Sequence, residues 1–168
     1  MVCTKKSDGT LRVCLDPKDL NKACVSKGVK RCHHKTPTPE ELTHKLTGAT
    51  VFSKLDAKNG YWSVTFDEQS SFLTTFNTPF GRHRYLRMPF GLVMSQDVFQ
   101  RKMDQILEEC PGTMGIADDV AVFGKNEADH DASLHHLFTV AKKHGLTFNS
   151  RKCAIKQQSI KFYGITYD

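Results

Sequence analysis

The chain has 168 residues, with 39% hydrophobic and 25% charged, which suits one packed globular domain and argues against disorder. No apolar run approaches the roughly 18 residues of a membrane span. The opening Met1-Val2-Cys3-Thr4-Lys5-Lys6 has no signal-peptide apolar region, so an intracellular protein (cytoplasm or nucleus), without membrane or secretion, is expected. The net charge of +6 lies wholly in residues 1–36, which carry nine basic and three acidic side chains; residues 37–168 are neutral. Such a basic third fits either a polyanionic partner or a solvated lysine-rich face.

In chain order, Leu11-Arg12-Val13-Cys14-Leu15-Asp16 alternates apolar and polar after the turn signal Ser7-Asp8-Gly9-Thr10 and reads as a hairpin strand. Pro17 to Ala23 reads as a short helix and residues 24–38 as a basic loop. Thr38 as N-cap with Pro39 behind it opens a helix to about Leu46. Val51-Phe52-Ser53-Lys54-Leu55-Asp56 is a strand ending in an acid. Leu73–Asn77 and His83–Arg87 flank Pro79-Phe80-Gly81 and are expected to pair as a hairpin. From Ser95, Val98, Phe99, Met103, Ile106 and Leu107 mark one helix face, stopped by Pro111-Gly112. A second helix carries Leu134, Leu137, Phe138 and Ala141, and two strands near 146–155 and 159–166 close the chain. Helices and strands mix without a βαβ rhythm, which favours α+β.

The six cysteines show no CxxC pair and read as reduced thiols. Cys24, Cys32, His33 and His34 are too tightly adjacent for an ordinary zinc site. His135-His136 and the other histidines lack an HExxH pattern and read as surface or capping residues.

Most of the chemical information lies in Gly115-Ile116-Ala117-Asp118-Asp119-Val120-Ala121-Val122-Phe123-Gly124, where two apolar strands flank adjacent carboxylates, suggesting a tight hairpin with Asp-Asp at its tip. Asp suits turns for its own sake. Yet two close anions repel by about 4 kcal/mol at intermediate dielectric, a cost a divalent cation removes. Asp56 ends its own strand, and if the two strands pair, the acids meet at one edge of the sheet, suiting two metals. Surface acids terminating strands remain the other reading.

The ordered segments Phe52–Trp62, Arg87-Met88-Pro89-Phe90-Gly91-Leu92, Val98-Phe99-Gln100-Arg101 and Ala117-Asp118-Asp119 resemble reverse transcriptase motifs. So do Leu11–Asp16 with Asp19-Leu20-Asn21-Lys22 upstream, and Gly145–Asn149, Lys152-Cys153 and Phe162-Tyr163-Gly164 downstream. Over nearly its whole length the chain resembles the polymerase of gypsy-type long-terminal-repeat retrotransposons.

That resemblance implies an α+β fold of right-hand polymerase fingers (about 1–50 and 65–94) and palm (about 51–64 and 95–168), an antiparallel palm sheet backed by helices, and no thumb. It implies an RNA-directed DNA polymerase acting on an RNA or DNA template with primer and dNTPs, using two Mg²⁺ ions, with Mn²⁺ as a substitute. Asp56, Asp118 and Asp119 match the metal-binding carboxylates, Asp56 and Asp118 being principal. Lys152 matches a general acid for pyrophosphate departure. Lys5 and Arg12 match contacts to the triphosphate, where a point charge and a planar fork suit phosphate oxygens. Tyr61 matches the aromatic that excludes a ribose 2′-hydroxyl, and Phe90 and Gly91 line the nucleotide pocket. Arg82, Arg84, Arg87, Arg101 and Lys102 lie near the expected template path.

Three departures stand out. Ile116 replaces an aromatic before the acidic pair, Ser95-Gln96 replaces a small residue and proline, and Cys24–Gly28 resembles a fingers insertion. Family members carry further fingers sequence, a thumb, RNase H and integrase, so a piece of a Pol polyprotein is expected. A catalytically inactive retroelement remnant that binds nucleic acid is the alternative. A two-metal nuclease would want a further acidic motif that the chain lacks.

Overall fold

The computed structural model of the protein describes residues 2–5, 9, 11–14, 16–26, 37–58 and 60–168, without the side chains of 2, 12, 13, 24 and 25. Cys32-His33-His34, most of the basic loop and, of the Cys24–Gly28 segment, Lys27 and Gly28 lie outside the described residues. The elements are β1 (Val2–Lys5), β2 (Leu11–Cys14), α1 (Lys18–Ser26), α2 (Pro39–Leu46), β3 (Val51–Asp56), a 3-10 turn (Tyr61–Ser63) and α3 (Glu68–Leu73). Then follow β4 (Phe76–Thr78), β5 (Gly81–His83), α4 (Ser95–Glu108), β6 (Thr113–Ile116), β7 (Asp119–Gly124) and α5 (Glu127–Lys143). A 3-10 turn (Ser150–Lys152), β8 (Ala154–Gln157), β9 (Ile160–Phe162) and β10 (Ile165–Tyr167) complete the chain. Two compact units form: residues 1–33 with 61–98, and residues 34–60 with 99–168. All described strand pairs are antiparallel and helices interleave with them, the α+β class expected.

The second unit is built on a four-stranded sheet in the order β6-β7-β3-β8. Side chains alternate across a strand, so register decides which residues share a face. Phe52 and Ala121 with Met114 and Ile116 face one way, joined by Leu42 and Leu46 of α2, Ile160, Phe162 and Tyr167 in one buried cluster. Leu55, Val120 and Val122 are buried on the opposite parity, where α4 approaches so closely that a Cβ on Gly115 would stand 2.5 Å from Leu107 Cδ1. Covering both faces explains why β6 and β7 read as nearly continuous apolar runs. α2 starts as its sequence requires, with Thr38 and Glu41 in a reciprocal capping box and Pro39 in the first turn.

Three local expectations change. Glu68–Leu73 is helical because Asp67 caps it, accepting from the Ser70 N–H at 2.7 Å, so the hairpin shrinks to Phe76–Thr78 against Gly81–His83. Arg84–Arg87 runs on to meet Val64–Phe66 instead, with Phe66 N–H donating to Leu86 O and Met88 N–H to Val64 O. At the C-terminus three strands replace two. Asn149 nucleates the turn at Ser150–Lys152, and Tyr163 and Gly164, both at positive φ, form a two-residue turn joining β9 to β10.

His130 departs from the surface role expected of the histidines: it is wholly buried under β3, Nε2 lying 2.8 Å from Ser53 Oγ and Nδ1 3.1 Å from Asp131 Oδ1. A carboxylate only accepts, so Nδ1–H donates to Asp131, and in the neutral ring Nε2 then accepts the Ser53 hydroxyl proton. Ser53 Oγ in turn accepts from the Lys156 N–H at 3.0 Å, tying α5, β3 and β8 together. Cys3, Cys14, Cys110 and Cys153 are all free thiols.

Candidate active site

The carboxylates come together at the end of the two central strands, β3 and β7. Register sets Asp56 directly opposite Asp119. The hairpin tip is Ala117–Asp118, because Asp119 already pairs with Ile116 in the ladder; the Asp-Asp tip expected from sequence is thus displaced by one residue. The Ala57 N–H donates to the Asp118 carbonyl at 2.6 Å, so main-chain bonding carries the junction one residue past each strand end.

A second segment docks beside Asp56. Lys58 N–H donates to Thr147 O at 2.8 Å, Asn149 N–H donates to Asp56 O at 2.8 Å, and Ala57 bridges Phe148. That docking delivers the Lys152 ammonium to 3.3 Å from Asp56 Oδ2. Lys54 stands on the same face and pairs with Asp119 Oδ2 at 2.8 Å. Both strand-end acids thus already hold a cationic group, and their hard oxygen donors are the type Mg²⁺ selects. Among the described residues no three His, Cys, Asp or Glu side chains close into a cage. An ion here would need further oxygens, such as substrate phosphates, as Mg²⁺ sites ordinarily do.

Two residues without an assigned role in the motif reading support this end. Gln100, only 2% exposed, accepts the Ala117 N–H at its Oε1 (2.8 Å) and donates from Nε2 to Gly115 O (3.0 Å) and Asp104 Oδ1 (2.9 Å). Ala117 has φ +52°, at the first central position of a two-residue turn where glycine is the usual choice. The Gln100 amide therefore clamps a strained turn. Gly60 is the second: a Cβ there would lie 2.5 Å from Asp118 Oδ1 and 2.7 Å from Phe99 Cζ, so only glycine fits. Both residues lie in the quoted motifs, but the Ala117–Asp118 turn they support lies further along the chain.

In the first unit, the Tyr61 ring packs against Phe90 with centroids 4.8 Å apart, and its hydroxyl donates to Gln96 Oε1 at 3.2 Å. Gly91 has φ +105°; its carbonyl accepts from Asn21 Nδ2, while Val93 N–H donates to Asn21 Oδ1, both at 3.0 Å. The Ser95-Gln96 departure is absorbed here, Ser95 Oγ donating to Pro89 O at 3.1 Å. Lys5 is exposed on β1 and Arg12 lies opposite Thr4, its side chain outside the described atoms.

The five cations near the expected template path do not share one environment. Arg84 sits 4.0 Å over the Phe72 ring, and Arg87 donates to Trp62 O at 3.0 Å. Arg82 and Arg101 are exposed, and Lys102 is half-buried.

The family model described as reverse transcriptase (RNA-dependent DNA polymerase) matches residues 4–167. The chain belongs to the reverse transcriptase family. This reverse transcriptase domain is 35% identical over 164 residues to an uncharacterized protein of Caenorhabditis elegans, covering 98% of the chain and 13% of that protein. It is 31% identical over 161 residues to the enzymatic polyprotein of figwort mosaic virus (strain DxS), covering 95% and 23%. The domain thus spans a quarter or less of the length of these relatives. Among solved structures, the foamy viral protease–reverse transcriptase in complex with double-stranded DNA superposes with a TM-score of 0.84 at 22% identity, covering 98% of this chain and 28% of that one. The same protein in complex with an RNA/DNA hybrid gives 0.81, also at 22% identity, covering 98% and 21%. The likeness establishes the polymerase fold. Reverse transcriptases as a family are divalent-metal dependent. Among the described residues no helix is long and apolar enough to cross a membrane.

Proposed function

We propose that the chain is the fingers and palm of an RNA-directed DNA polymerase that adds deoxynucleotides to a primer on an RNA or DNA template, as one part of a retroelement Pol polyprotein working inside the cell. One observation carries this reading: the β3–β7 register sets Asp56 against Asp119 beside the Asp118 turn, in a chain that the family matches from residue 4 to residue 167. Of the acids Asp56, Asp118 and Asp119, the first two are the principal side chains that would hold Mg²⁺, or Mn²⁺ in its place, with Asp119 beside them. Bound there, the ions would supply activation of the primer hydroxyl and neutralisation of phosphate charge.

The remaining roles belong to the chain itself. Lys152 Nζ, 3.3 Å from Asp56 Oδ2, is the proton donor for departing pyrophosphate. Lys5 and Arg12 bind the triphosphate. Tyr61 and Phe90 present an aromatic wall that excludes a 2′-hydroxyl, and Gly91 lets backbone approach the nucleotide. Of the template-path cations, exposed Arg82 and Arg101 are free to meet phosphate oxygens, whereas Arg84 and Arg87 chiefly brace their own unit. Arg84 and Lys102 then add to the field.

The test is primer extension by the purified chain with an RNA template, DNA primer, dNTPs and Mg²⁺. Asp118→Asn should lower extension at least about 10³-fold with an unchanged circular dichroism spectrum. Retained hybrid binding with no extension by the native chain would instead identify a binding remnant.

A further inference from the structure

The ladder that gathers the carboxylates also puts a lysine among them. Lys54 precedes Asp56 by two residues, so both side chains leave the same face of β3. Register places Lys54 opposite Ala121 and Asp56 opposite Asp119, making Lys54 and Asp119 diagonal neighbours across the ladder. Their contact is 2.8 Å, with side chains 30% and 39% exposed, and Lys54 Nζ also faces the Lys161 carbonyl oxygen 3.5 Å away. The other pair differs. Lys152 reaches Asp56 at 3.3 Å from a 3-10 turn, on a side chain 65% exposed. Lys54 is thus the nearer and more enclosed cation, rooted in a central strand.

Building on the metal-site reading above, we propose that Lys54 is a built-in counter-ion that reserves Asp119, leaving Asp56 and Asp118 to hold the divalent cation and keeping affinity for a free ion low. A carboxylate oxygen already bonded to an ammonium is a poorer metal donor, and the fixed positive charge opposes a second cation nearby. At the same time the ammonium offsets the mutual repulsion of the three acids, so the strand ends stay together without a metal. A site weakened in this way fills when phosphate oxygens arrive to complete the shell, which couples metal loading to nucleotide binding.

Direct Mn²⁺ binding, read from the electron paramagnetic resonance signal of free Mn²⁺ without any primer or nucleotide, tests this on the full chain. Lys54→Met should bind Mn²⁺ about fivefold tighter, the effect expected of one unit charge a few ångströms away in a largely solvated site. Lys54→Arg, which keeps the charge, should stay near the native affinity. Asp119→Asn should change native affinity less than about twofold, yet abolish the gain when combined with Lys54→Met, a non-additivity expected of contacting residues. Thermal melts accompany each variant, and Lys54→Gln replaces Lys54→Met if that chain unfolds. Unchanged or weaker binding in the neutral variant, or an equal Asp119→Asn cost in both backgrounds, overturns the proposal. Asp56→Asn and Asp118→Asn separate the two layers. If both weaken Mn²⁺ binding while removal of Lys54 does not tighten it, the counter-ion role alone falls. If neither weakens it, the carboxylates are not a metal site and the proposal falls with that reading.

Discussion

The carboxylate end of the second unit and the Tyr61–Phe90 corner of the first are built by opposite means. At the carboxylates, main-chain bonds do the positioning: the β3–β7 ladder, Ala57 N–H to Asp118 O, and Asn149 N–H to Asp56 O. At the aromatic corner, side chains do it: the Tyr61 hydroxyl on Gln96, its ring on Phe90, and the Asn21 amide bonding Gly91 and Val93. A backbone ladder holds atoms to fractions of an ångström, which chemistry at a metal demands. Side-chain packing tolerates replacement, which would suit the nucleotide-selecting role proposed for this corner. The difference predicts that damage to the first will abolish turnover, whereas damage to the second will alter preference.

Among the residues that support the two corners, the largest effect should come from Gln100. Gln100→Leu leaves the Ala117 N–H, Gly115 O and the Asp104 carboxylate short of a buried partner, costing about 1–3 kcal/mol of stability. It also releases the strained turn, so extension should fall more than about tenfold beyond any loss of folded protein. Adding Ala117→Gly, which removes the positive-φ penalty of about 1 kcal/mol, should restore part of the activity, read as kcat in primer extension. Equal activity in the single and double variants would show that turn strain is irrelevant.

Next in size is Gly60→Ala. Its Cβ would press on Asp118 Oδ1 and the Phe99 ring, and overpacking of this kind costs about 1–3 kcal/mol. Extension kinetics should show the loss mainly in kcat. Tyr61 should then mark the contrast. Tyr61→Phe removes the hydroxyl that bonds Gln96 while keeping the ring on Phe90, and should change dNTP use less than about threefold. Tyr61→Ala opens the wall beside Phe90 and should raise the use of ribonucleotides relative to dNTPs while extension persists. If Tyr61→Ala instead abolished extension with both nucleotide types, the aromatic corner would be as demanding as the ladder.

What could be read from sequence follows the same division between local and distant contacts. The α2 start, the Val51–Asp56 strand and the α4 apolar face are local patterns, and each stands within a residue or two of its expected place. The three acids were visible as acids at strand ends, and the motifs placed them in one family. Lys54–Asp119, Gln100–Ala117 and Gly60–Asp118 were not visible, because each depends on register between segments far apart in the chain. α3 escaped notice although its cap, Asp67, stood in plain sight; the surrounding Phe and Thr residues favoured a strand. Buried His130 escaped because nothing local marks a histidine that lies beneath a strand 77 positions earlier in sequence.

The smallest effect lies at the solvent rim of the ladder's support, where Asp131 joins α5 to β8. Its carboxylate accepts from Lys156 Nζ at 2.8 Å and from His130 Nδ1 at 3.1 Å, and these bonds, Lys156 first, hold its pKa below the usual carboxylate value. The same contact raises the Lys156 ammonium above its ordinary value. A depressed acid stabilises the fold above its unfolded pKa of about 3.9, and that contribution drains away as pH falls through the lower folded value. A raised base contributes fully below its unfolded pKa of about 10.4 and loses its share as pH rises through the higher folded value. The tie is therefore complete across neutral pH and fails at both extremes. Because the pair is exposed, Asp131→Asn should lower Tm at pH 7 by no more than about 2 °C. The gap between native and variant melts should close in acid as the native carboxyl takes up its proton. A gap that persisted at pH 2 would mean that Asp131 holds β8 by packing, and that charge contributes nothing to the support behind Ser53 and the ladder.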